Sequence, residues 1–405
     1  MRDLTGDAQQ AWRVARERLY DARTNLFYDF VSRYEAARRF AHLPTPAEIA
    51  RQEPNTNGWA TGMEDSTISG GVVLAALCDA FAATQDEGLR PLASAVFAGL
   101  RLCGTLSSAE GLVLRSVSPI DGRSYYIETS RDQVTHFAHG LWRYYHSPLS
   151  TGAERTAMRD MVAALCRRME HCVVPERDYH IGKENDEPGL VDRMWDVAPH
   201  EVGRLPMVYA VGGDLTADPH WRELYRRFAA PAAALAADLD PAPYQWCYPL
   251  FQHQVSLEVL MALESQDEGL RRQFAARAVD LAAAVGRFAR HILDYRPADV
   301  EQVDMDWRTR PCRPAFRGST YGHVAEWPEA MLGEFRPLRE VGEALLTRLM
   351  APGIALTAED EDLLERALTG VDYARAFTCG MLYPWAAFWR YRRQQACGPG
   401  AAGLQ

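Results

Sequence analysis

The sequence predicts an all-α fold, an (α/α)6 toroid of helical hairpins with a short β-hairpin in one loop. Three observations predict it. Segments that are apolar all round alternate along the chain with amphipathic ones, as buried helices paired with half-solvated helices would. No repeat of fixed length accompanies the alternation, which favours a closed ring over an open solenoid. The loops entering the apolar helices are longer and richer in Trp, Tyr, His and acids than those leaving them, and in a ring they would converge on one mouth. One domain is expected over 1–395, followed by a flexible tail over 396–405.

The elements follow in order. Residues 5–40, dominated by Ala, Arg, Glu and Leu, read as helix, and 43–58 as a polar loop. An apolar helix opens at Trp59-Ala-Thr-Gly-Met-Glu-Asp-Ser and runs to Phe81; an amphipathic one spans 86–106. Residues 111–128 alternate around the turn Pro119-Ile-Asp-Gly and predict the β-hairpin. The next helix runs to about His146, capped by Thr129 or Ser130, whose hydroxyl can accept from a first-turn N–H. Helices are then expected at 151–173, around 205–211, and at 219–237, 250–264 and 268–294. A long loop, 295–325, leads to a helix near Trp327–Met331, another at 358–369, and a last one after Tyr373.

The whole-chain numbers exclude more than they identify. With 405 residues and 47% hydrophobic content the chain can bury a large core. Its net charge of −10 lacks the basic footprint of a nucleic-acid partner. The N-terminal 17 residues are polar, and no stretch reads as a membrane span, so a cytoplasmic protein without membrane contact is expected. The 8 cysteines are scattered without a C-x-x-C pair and read as buried thiols. Neither metal nor cofactor is expected, and the sequence is silent on oligomeric state.

The chemistry concentrates at helix starts. Asp132 sits in a first helical turn, with Gln133, His136 and His139 on adjacent stripes. Glu64 and Asp65 open the first apolar helix, followed by the small residues Ser66, Ser69, Gly70 and Gly71. Glycosidic cleavage needs two carboxyls, one to protonate the leaving group and one to activate water or attack. Asp132 with Asp65 or Glu64 meets that requirement; Glu128, Asp196 and Asp306 are substitutes for either. Trp195, the cluster Tyr244, Trp246 and Tyr248, then Trp307, Tyr321, Trp327 and the pair Tyr383 and Trp385 offer flat faces for sugar rings. Arg115, Arg131 and the cluster Arg308, Arg310, Arg313 and Arg317 suit a carboxylate. His253 and His323 complete the candidate substrate-binding set, and the expected partner is a small carbohydrate or glycoside.

Three segments carry a resemblance: Trp59-Ala-Thr-Gly-Met-Glu-Asp-Ser, Gly111-Leu-Val-Leu-Arg-Ser-Val, and Ser124-Tyr-Tyr-Ile-Glu-Thr-Ser-Arg-Asp-Gln-Val-Thr-His-Phe-Ala-His-Gly-Leu-Trp. Together they resemble the six-hairpin glycosidases, in particular glycoside hydrolase family 154, of β-glucuronidase type. They are more distantly similar to the unsaturated uronyl hydrolases of families 88 and 105. The resemblance implies hydrolysis or hydration at a uronic acid without metal or cofactor. It implies that Asp132 is the proton-donating acid and Asp65 the second carboxylate. A lyase or sugar-modifying enzyme of a biosynthetic pathway on the same ring, or a non-catalytic scaffold, are the competing expectations.

Overall fold

The computed structural model describes residues 3–314 and 323–397. Twelve helices of twelve residues or more run through them: α1 (Thr5–Leu19), α2 (Ser66–Thr84), α3 (Leu89–Thr105), α4 (Arg131–Tyr145), α5 (Gly152–Cys172) and α6 (Arg204–Thr216), followed by α7 (Pro219–Ala237), α8 (Tyr248–Leu263), α9 (Glu268–Ala284), α10 (Glu329–Met350), α11 (Ala358–Thr369) and α12 (Leu382–Cys397).

The even-numbered helices form an inner ring. α2 packs on α4, α4 on α6, α6 on α8, α8 on α10, α10 on α12, and α12 back on α2. The odd-numbered helices lie outside, each hairpinned to an inner partner, and the N-terminal α1 closes the sixth hairpin against α12. The architecture is the predicted (α/α)6 toroid. Its physical origin is visible in α2, where every residue from Ser66 to Phe81 is buried; a helix without a polar face has to be surrounded. α2 is also the one described helix long and apolar enough to cross a membrane, contrary to the expectation that no stretch approaches this, and it is instead enclosed by the ring.

Gly71 lets the inner helices approach closely. A Cβ there would collide with the His136 carbonyl of α4, and Gly140 of α4 faces Gly71 in turn.

Several elements differ from expectation. The first helix ends at Leu19, not 40. Tyr20–Asp21 (β1) pairs antiparallel with Leu26–Phe27 (β2), and turns follow. Residues 111–128 form no hairpin. Their backbone serves neighbours instead: Arg115 O accepts from Thr67 N at 3.0 Å, and Leu114 N donates to Cys103 O at 3.0 Å. The second ribbon lies in the long loop, where Cys312–Pro314 (β3) pairs with His323–Ala325 (β4). The segment read as one helix over 268–294 breaks after Ala284 into shorter turns.

The largest miss is α10, anticipated only near 327–331. Pro337 lies inside it. Proline lacks an N–H and leaves the carbonyl four residues back without its helical partner. Here that carbonyl, Gly333 O, accepts from Arg296 N at 2.9 Å, and the helix continues. The last helix starts at Leu382 rather than just after Tyr373 and runs through Cys397; residues 398–405, most of the expected tail, lie outside the described residues.

Candidate functional site

The starts of α2, α4, α8 and α10 meet at a cavity of about 290 Å³. Its wall includes Asp29, Asn57, Trp59, Glu64, Asp65, Arg115, Asp132, Tyr248, Trp327, Phe335 and Arg339.

Local capping sets two of these groups. Ser130 is the N-cap of α4, its hydroxyl accepting from Gln133 N at 3.2 Å, and this fixes Asp132 in the first turn. Gln133 then clamps the start of α2. Its amide donates to Glu64 O at 2.9 Å and Asp65 Oδ1 at 3.0 Å, and accepts from Ile68 N at 3.2 Å.

Asp65 is the hub of the mouth. Arg115 lies 3.5 Å from its Oδ1 and Arg339 lies 3.4 Å from its Oδ2. Behind it, Asp29 Oδ2 accepts from Glu64 N at 2.9 Å and Asp65 N at 3.4 Å, while Asp29 Oδ1 has no hydrogen-bond partner. Three carboxyls thus share one wall. Burial, then the neighbouring Asp65, push the Asp29 carboxyl up to about 8. Burial, then Asp29 and Asp65, also push Glu64 well above the carboxylate range.

Asp132 goes the other way. Burial would raise it, but Arg204 and Arg131 outweigh that and bring it down to about 2. Arg204, the first residue of α6, donates to Asp132 Oδ1, and the Tyr248 hydroxyl adds a hydrogen bond. One cavity therefore holds a carboxylate kept ionised and a carboxylic acid kept protonated at neutral pH. That separation is what acid–base chemistry by two carboxyls requires.

The remaining candidates scatter. Glu128 is a buried strut accepting from Thr56 Oγ1 at 2.6 Å and from Leu190 N. Arg131 pairs with Glu201. His136 and His139 point below the mouth into a separate void of about 20 Å³, and His139 bonds Glu258 at 2.8 Å. His253 is buried without a hydrogen-bond partner. Trp195 packs edge-on against Phe228, and the exposed Asp196 pairs with Arg193. Trp246 lies under the Arg336 guanidinium, outside the cavity wall. Trp385 stacks on Trp12 at 4.7 Å, in the seam between α12 and α1.

Trp307 joins Ala60, Val324 and Ala325 in an apolar cluster that also takes in Trp59 and Trp327 from the cavity wall. Arg308 is paired with Glu48 and Asp306, the latter one of the substitute acids, and Arg310 donates to the carbonyls of Ala60 and Glu326. The anion-binding role read for these two is thereby spent on structure. His323 is described as backbone of β4 only, and Arg317 and Tyr321 lie outside the described residues. Among the described residues, no group of three His, Cys, Asp or Glu is placed to hold a metal ion.

Comparison with solved structures finds a distant similarity. The chain superposes on the GH76A alpha-1,6-mannanase from Salegentibacter sp. HEL1_6 with a TM-score of 0.35 and 10% identity, over 85% of this chain and 100% of that one. An inactive variant of that mannanase in complex with alpha-1,6-mannotriose gives 0.34 at the same identity and coverage. No family model and no curated protein matches the sequence.

Sequence reasoning missed Asp29, Arg204 and Arg339, and placed Tyr248 only in an aromatic cluster. Asp29 was hidden inside a segment read as helix, and Arg339 lay beyond the helix read near Trp327–Met331. Arg204 and Tyr248 did carry a signal, since both open apolar helices, as Asp132 and Asp65 do.

Proposed function

We propose that the chain is a glycoside hydrolase acting on an anionic sugar, a β-glucuronide or an unsaturated uronide. The observation that carries the reading is the opposed protonation of Asp132 and Asp29, which line one cavity.

In a glycoside, Asp132 accepts a proton from water as its oxygen bonds to the anomeric carbon. The bond to the leaving oxygen breaks as Asp29 protonates it. This makes Asp132 the base, not the acid implied by the family resemblance, and brings in a carboxyl that the sequence did not single out. Arg115 and Arg339 support the anionic substrate. Both residues line the cavity, where a guanidinium can pair with a substrate carboxylate. With Asp29 and Glu64 neutral, two of the four acids lining the cavity add no negative charge against these two cations. Trp59, Trp327 and Phe335 provide flat faces for the ring.

The test compares turnover of a nitrophenyl β-glucuronide, the matching neutral glucoside, and an unsaturated uronyl disaccharide. Nitrophenol release from the uronide, or loss of the enoic absorbance, is expected; equal turnover of the neutral glucoside would remove the anionic specificity. Appearance of a new double bond in the product would make the protein a lyase instead. Asp132→Asn is expected to lose on the order of 10²–10⁴-fold in kcat. Full turnover by that variant would overturn the assignment.

A further inference from the structure

Two more buried acids lie one turn behind the cavity and do not line it. Glu340 and Glu343 of α10 are 4% and 0% exposed. Glu343 accepts from Arg339 Nε at 2.7 Å, while its second oxygen has no partner. Arg339 reaches from this contact to Asp65, and its NH2 group has no protein partner. Its guanidinium is held between the rings of Tyr248, at 4.3 Å, and Tyr383, at 5.0 Å. Glu340 accepts from Cys247 N at 2.8 Å, bracing the start of α8 where Tyr248 meets Asp132. The middle of α10 thus touches both acid walls through intermediaries.

We infer that Glu343 is a positioning residue: it fixes the Arg339 guanidinium against Asp65 on the cavity wall, where a bound anion would meet its charge. This rests on reading the cavity as a site for an anionic glycoside. A merely structural acid would be expected to use both oxygens, whereas Glu343 uses one, on the arginine of the cavity wall. The groups acting on Glu343 are Arg339 and Glu340 on its own helix, Asp65 ahead of α2, Asp132 on α4, Cys247 before α8 and Tyr383 on α12. Burial raises Glu343 to about 7, so its charge changes near neutrality. Below that pH the charge of Arg339 acts undiminished on Asp65; above it, Glu343 offsets that charge.

Glu343→Ala and Glu343→Gln, in the full chain, separate position from charge. Glu343→Ala removes the acceptor and is expected to raise KM for the aryl uronide roughly tenfold or more, the effect of losing a hydrogen bond to a charged group. Glu343→Gln keeps an acceptor for Arg339 Nε. It is expected to restore KM while moving the alkaline limb of kcat/KM to lower pH, because the Arg339 charge is no longer offset. Unchanged KM and an unchanged pH profile in both variants would overturn the inference, as would a loss of thermal stability without either kinetic change. A second readout needs no substrate: the Glu343 carboxyl followed by carbon-13 NMR, assigned with Glu343→Gln. Its titration midpoint is expected to rise in Arg339→Gln, which removes the cation bonded to it at 2.7 Å, and an unmoved midpoint would overturn the inference even if no sugar is turned over. A moved midpoint in an inactive protein would leave the coupling standing and remove the glycosidase reading.

Discussion

Asp29 and Asp132 are the same residue type in the same cavity, and their surroundings drive them apart. Asp29 is buried beside Asp65 and Glu64, and backbone N–H groups and Arg115 offset this only in part, while Asp132 faces two arginines. Activity is therefore expected to persist at mildly acidic pH and to fall as pH rises through about 8, where Asp29 loses its proton. A kcat/KM profile rising through that pH would contradict the assignment. Arg204→Met should move the acid limb upward, because Asp132 loses the cation that keeps it ionised. The same variant should cost about 3–5 kcal/mol in urea unfolding, since it strips the partner from a largely buried charge. Asp29→Asn should abolish turnover with little loss of stability, because the amide oxygen still accepts from Glu64 N.

At the scale of the element, the site depends on how closely α2 and α4 pack, since one is preceded by Asp65 and the other carries Asp132. Gly71 sets that spacing against a backbone carbonyl, which cannot swing aside as a side chain could. Gly71→Ala is expected to cost about 1–3 kcal/mol, the usual penalty for overpacking, and to lower kcat by displacing the two acids. Gly152→Ala is the matched control: it lies at the start of α5 with open space around it, so neither stability nor kcat should change. Equal effects from the two variants would refute the spacing role. α10 makes a related point. Its path past Pro337 relies on Arg296 for a partner to Gly333 O, and the residues beyond that point put Arg339 on the cavity wall with Glu343 one turn behind it.

For the whole molecule, stability should depend on pH in a calculable direction. Burial raises Asp29 and Glu340 to about 8, and Glu334 and Glu343 to about 7. Raised acids stabilise fully below their unfolded values and lose that contribution as pH climbs through 7 to 8. Burial lowers His42 and His253 to about 3 and His200 to about 4. These histidines favour unfolding as pH falls below their ordinary value of 6.5, since only the unfolded chain then protonates them. The melting temperature is therefore expected to peak at roughly pH 4.5–6.5 and to decline on both sides. A maximum at pH 8 or above in thermal unfolding would contradict the buried acids. Ring closure is a second whole-molecule property. Trp12 and Trp385 join the two ends of the chain, and Trp12→Ala should destabilise by about 3 kcal/mol.

The sequence by itself determined the ring, a cap at Thr129 or Ser130, and the placement of Glu64, Asp65 and Asp132 at helix starts. Each follows from periodicity or capping, which act over a few residues. Only the tertiary structure decided that those helix starts enclose one cavity, and which carboxyl keeps its proton. Arg204 lies 72 residues from Asp132, and Arg339 lies 274 residues from Asp65. Protonation in the interior is set by charges a few ångströms away, and no local pattern in a chain reveals which distant residues those are.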